Sequence, residues 1–71
     1  MTKQISLDNG VSYMTAHDAM DEIKQRNLWE LVVMLMDDEI ACDVHNELAP
    51  CTDEDYLTRY LELADNDLII G

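Results

Sequence analysis

Basic residues are scarce in this 71-residue chain: four Lys and Arg face sixteen Asp and Glu, a formal net charge of −12. That balance argues against direct nucleic-acid binding, which needs Lys and Arg to displace the counterions condensed on phosphates. It disfavours anionic membrane surfaces for the same reason. Glycine is scarcer still, at two residues, and no phosphate-cradling loop is present. Cysteine is limited to Cys42 and Cys51, too few for a disulfide framework. No basic segment followed by an apolar stretch opens the chain, so no secretion signal is read and both thiols are expected to be reduced. The longest apolar run, Leu31 to Met36, falls far short of a membrane span. The chain reads as cytoplasmic.

What is present is enough apolar material for one small core. The hydrophobic fraction is 48%, and a domain this short buries only ~60% of its unfolded surface, so almost every apolar side chain is needed. High charge without low hydrophobicity argues for a folded chain over a disordered one.

Alternation opens the sequence. Ile5 and Leu7, then Asp8-Asn9-Gly10, then Val11 and Tyr13 read as a hairpin with strands over about residues 3–7 and 11–14, because Asn and Gly accept the positive φ of a tight turn. Thr15 followed by Asp18 predicts a capped helix over about 16–26, with Ala16, Ala19, Met20 and Ile23 inward. Asn27 is a candidate cap for a second helix over about 28–36. Its dense apolar pattern suggests a central core helix, the alternative being that Trp29 or Met34 stays exposed as a contact. A third helix is expected over about 39–48 and ends at Pro50. Thr52 and Asp55 resemble a capping box for a fourth over about 53–64, burying Tyr56, Leu57, Tyr60, Leu61 and Ala64, with Arg59 paired to Asp55. Leu68-Ile69-Ile70 is β-prone and is expected to dock as a third strand beside the hairpin. The expected class is α+β: an N-terminal hairpin, four short helices and a C-terminal strand joining the hairpin, in one domain.

Catalytic chemistry finds little support. Ser6, Ser12 or a cysteine would need a histidine and a third orienting group, and the carboxylates fall outward, not into differently perturbed buried positions. Cys42, His45 and Cys51, with His17 as the remaining strong ligand, match none of the usual paired metal spacings. Burial of the cysteines is the simpler expectation. Asp65-Asn66-Asp67 resembles the start of a calcium loop without its later ligands, so turn chemistry accounts for it. No catalytic residue, metal or cofactor is expected.

The distribution of charge says more than any motif. Between Arg26 and Arg59 nine acids meet no base. If the third and fourth helices pack together, Asp37, Asp38, Glu39, Asp43, Glu47, Asp53, Glu54 and Asp55 form a negative face. Such a face suits a basic protein, in particular a groove that normally holds nucleic acid. The plainer account is a solvated surface that keeps the chain soluble. A homodimer or assembly subunit using Trp29, Met34 and Met36 is the other reading.

The strings Leu7-Asp8-Asn9-Gly10, Ala49-Pro50-Cys51-Thr52, Tyr60-Leu61-Glu62-Leu63 and Asp67-Leu68-Ile69-Ile70-Gly71 resemble a group of short acidic proteins of gut Gram-positive bacteria and their conjugative elements. The resemblance covers nearly the whole chain and carries no functional residue over. It implies a stand-alone domain in a mobile-element setting, where acidic antirestriction proteins act as DNA mimics. Those proteins share the charge with this chain and no motif.

Overall fold

The computed structural model describes residues 3–49 and 51–71. These form, in chain order, β1 (Ile5–Ser6), α1 (Ala16–Arg26), α2 (Trp29–Leu35), α3 (Asp38–Leu48), α4 (Asp53–Leu63) and β2 (Leu68–Ile69). The mixed, mostly helical class is as expected. The role given to Pro50 lies outside the described residues.

Local capping sets the helix starts. Thr15 and Thr52 are extended and accept at Oγ1 from the backbone N–H of Asp18 and Asp55, while the Asp37 carboxylate accepts from the N–H groups of Glu39 and Ile40. Asn27 does not start α2. It ends α1 in the left-handed region, φ 55°, with its N–H directed to the carbonyls of Ile23 and Lys24, a conformation Asn tolerates better than most residues. α2 therefore begins at Trp29, with Leu28 at its N-cap position and no side-chain cap.

The hairpin turn forms, with Asn9 at φ 59° and Gly10 at φ 86°, but its second strand shrinks to one bridge, Ile5 to Met14. Side chains take the backbone donors that a longer ladder would use: Ser6 Oγ accepts from Gly10 N–H at 2.8 Å, and Asp8 Oδ1 accepts from Ser12 N–H at 2.9 Å. The lasting partner of β1 is β2, in parallel, with Ile5 opposite Leu68 and Ser6 opposite Ile69. Bonds from Leu68 N–H to Gln4 O, Ile70 N–H to Ser6 O and Asn9 N–H to Ile70 O join the two ends of the chain.

The core is built from α1, α4 and the strands: Ile5, Met20, Ile23, Leu57, Leu61 and Ile70 are closed off from solvent, joined by Val32 and Val44. This corrects the expectation for α2. Of its seven residues only Val32 is buried, so α2 is peripheral. Ala, Met and Ile of α1 with Leu and Tyr of α4 already fill the small interior, leaving room for one side of α2 and no more.

Candidate functional site

α4 holds α3 through two tyrosines one helical turn apart. Tyr56 Oη donates to the Ala41 carbonyl at 2.8 Å, and Tyr60 Oη accepts from Asp37 N–H at 2.8 Å. As the α4 partner advances from 56 to 60 the α3 partner retreats from 41 to 37, so the helices run antiparallel. Trp29 packs edge-on against Tyr56, ring centres 6.2 Å apart, and ties α2 to the same pair. Burial, with Cys51 and Cys42 alongside, raises the Tyr56 hydroxyl above its ordinary range and keeps it a neutral donor.

On this frame Asp37, Asp38, Glu39, Asp43, Glu47, Asp53 and Asp55 are exposed and Glu54 is half-exposed. Glu39, Asp43 and Glu47 follow i, i+4, i+8 spacing and line one flank of α3. Asp53, Glu54 and Asp55 occupy the first turn of α4. The eight are not equivalent. Asp37 is spent on its helix cap, and Glu54 Oε1 lies 3.0 Å from His17 Nδ1. Glu47 is bound by Arg59, Nε to Oε1 at 3.0 Å, and the same guanidinium reaches Glu62 at 3.4 Å. The expected Arg59–Asp55 pair is replaced by these contacts, because the neighbouring helix supplies a nearer carboxylate. Asp38, Glu39, Asp43, Asp53 and Asp55 have no ion-pair partner among the described residues.

A second acidic group forms only in the folded chain. A cleft of about 310 Å³ opens between the α2–α3 junction and the segment after α4, with Leu35, Ile40, Ala64 and Leu68 in its walls and Asp37, Asp65 and Asp67 beside them. Asp67 Oδ1 accepts from Gln4 N–H at 2.9 Å. Asp65 and Asp67 look like turn residues in the sequence, and nothing local shows that they return to the start of α3.

The other candidates disperse. Ser6 is buried and donates to Asp8, and the exposed Ser12 also donates to Asp8 through its hydroxyl; neither is bonded to a histidine. Three hydrogen bonds, from the Ser12 hydroxyl, the Ser12 N–H and the Ser6 hydroxyl, hold the Asp8 carboxyl at a pKa of about 2. Cys42 and Cys51 are exposed free thiols, contrary to the burial expected of them. Among the described residues no group of three or more His, Cys, Asp and Glu is arranged to hold a metal ion, and no helix is long and apolar enough to cross a membrane. Of the three residues offered as an apolar contact, Met34 is 78% exposed, Trp29 is half-buried and Met36 is 5% exposed. Met36 is therefore a core residue.

No curated protein and no solved structure matches the chain. A family model does, described as anti-CRISPR protein AcrIC5 and matching residues 9–63, the span that contains α1 to α4 and stops short of both strands. The chain belongs to this family of anti-CRISPR proteins.

Proposed function

We propose that the chain inhibits a CRISPR system as a decoy, setting the carboxylates of α3 and α4 into a basic nucleic-acid-binding site of a Cas protein complex. Membership of an anti-CRISPR family makes it a small phage or mobile-element protein of a kind that binds Cas protein complexes. The finer origin, gut Gram-positive bacteria and their conjugative elements, rests on the sequence resemblance alone.

The observation that carries the decoy reading is the density of charge. α3 bears Asp38, Glu39, Asp43 and Glu47 and α4 bears Asp53, Glu54, Asp55 and Glu62, each helix being 11 residues long. At ~1.5 Å rise per residue, eight carboxylates share about 16 Å of axis, roughly one per 2 Å. Duplex DNA carries one charge per ~1.7 Å of its axis. Arg59 offsets one unit of this charge through Glu47 and Glu62. The tyrosine bonds between α3 and α4 fix the array before binding, which limits the entropy lost on association.

The test is competition for a purified Cas protein complex between its DNA target and the chain. The variant D38N/E39Q/D43N/D53N/D55N leaves the Asp37 cap and the ion-paired Glu47, Glu54 and Glu62 in place. Wild type is expected to displace DNA, less well as salt rises, and the folded variant is expected to fail. A folded variant that displaces DNA as well as wild type, or a wild type that binds the complex without affecting DNA, rejects the decoy.

A further inference from the structure

We infer that the solvent side of α2 is an apolar anchor that docks into a non-polar patch bordered by Lys and Arg on the same partner, resting on the decoy reading above. Leu31, Met34 and Leu35 stand at i, i+3 and i+4 and so share one side of the helix. They are 39%, 78% and 47% exposed, an unusual outlay in a chain with so small a core. Leu35 also walls the cleft beside Asp37, Asp65 and Asp67, so one end of the ridge borders carboxylates.

Charge decides what covers this ridge. From Leu28 to Leu48 every Lys, Arg, Asp or Glu is acidic, with Glu30 preceding the ridge and Asp37, Asp38 and Glu39 following it. A second copy would bring two chains of net charge −12 together at their acidic ends, and like charges placed face to face cost several kcal/mol. Area agrees. A stable dimer needs about 800 Å² per partner, about a sixth of the 4737 Å² surface of this molecule, and three side chains do not supply it. Extending over the neighbouring carboxylates enlarges the ridge, and a surface matching both is apolar at its centre and basic at its rim. Interfaces of this build draw affinity from the desolvated centre and orientation from the charged rim.

The experiment measures affinity of the purified Cas protein complex for wild type, for L31Q/M34Q and for the five-carboxylate variant, across a salt series, with circular dichroism confirming each fold. Both substituted side chains lie on the exposed side of α2, so the fold is expected to survive. L31Q/M34Q is expected to bind roughly tenfold or more weakly at every salt concentration, the worth of one buried apolar side chain, with an unchanged salt slope. The five-carboxylate variant is expected to flatten the slope. If the decoy reading alone fails, only the second result disappears. Binding of L31Q/M34Q equal to wild type overturns the anchor, as does a wild-type dimer in light scattering that L31Q/M34Q converts to monomer.

Discussion

Removing one oxygen atom from Tyr60 should loosen α3 from the rest of the molecule. In Tyr60→Phe the ring still fills its buried place, but Asp37 N–H loses an acceptor at 2.8 Å. That N–H belongs to the residue that caps α3. A typical hydrogen bond contributes about 1 kcal/mol net, and an amide left without a partner costs about 1–3 kcal/mol. Because Asp37 itself is exposed, water can reach the freed amide, and the loss should fall near 1–1.5 kcal/mol. Tyr56→Phe should cost less, about 0.5–1 kcal/mol, because Ala41 O lies inside a helix and keeps an intrahelical donor. A chain of this length has about 4–11 kcal/mol of total stability, so both variants stay folded at room temperature. Urea unfolding followed by Trp29 fluorescence reads the difference directly, and Tm should drop by about 4–8 °C per kcal/mol. A Tyr60→Phe variant within about 0.3 kcal/mol of wild type, or one less affected than Tyr56→Phe, would refute the reasoning.

Leu57→Ala removes a side chain with no solvent exposure and should cost about 2–5 kcal/mol, a larger loss than either tyrosine variant; urea unfolding followed by circular dichroism checks it. Asn27→Ala places a Cβ-bearing residue without Asn's local hydrogen bonding at φ 55° and should cost about 1 kcal/mol, read as a lower urea midpoint with unchanged slope. Asp8 should titrate in the folded protein at about 2 against 3.8 for its ordinary value. Its folded pKa is depressed, so its contribution is present above pH 3.8 and is lost as pH falls towards 2. Asp8→Asn should remove that part of the acid sensitivity, and an NMR titration of the carboxyl measures the shift itself.

Where structure is decided within a few residues, the sequence was readable. The Thr15–Asp18 and Thr52–Asp55 pairs located α1 and α4 because a cap is a contact three residues long. The Asn9-Gly10 turn formed for the same local reason. α2 shows the limit. Its spacing says that Leu31, Met34 and Leu35 share a side, but only the assembled core determines that this side stays open. Asn27 reads as a helix start but ends α1, because the same short amide suits a helix start and a left-handed helix end. Spacing pairs Arg59 with Asp55 on its own helix, and Glu47, twelve residues away, takes it once α3 and α4 lie side by side. The acids of the candidate face were visible by count; which of them are tied up was not.

That last distinction separates acids that serve the fold from acids free to serve a partner. Helix N-termini carry partial positive charge, and a carboxylate in a first turn contributes about 0.3–1 kcal/mol. Asp38 and Glu39 in α3 and Asp53, Glu54 and Asp55 in α4 gain from this, so their presence is explained without any partner. Glu47 and Glu62 lie in last turns, where the helix field opposes them, and Arg59 offsets that cost. Asp43 has neither a helix N-terminus nor a cation partner among the described residues, and it stands between Glu39 and Glu47 on the same flank. Asp43→Asn should therefore leave stability unchanged or raise it by a few tenths of a kcal/mol as like-charge repulsion falls, while Asp53→Asn lowers stability by a comparable amount. Thermal unfolding of the two variants at low and high salt separates these signs. If Asp43→Asn proves the more destabilising, the flank of α3 is part of the folding design and its claim as a binding surface weakens accordingly.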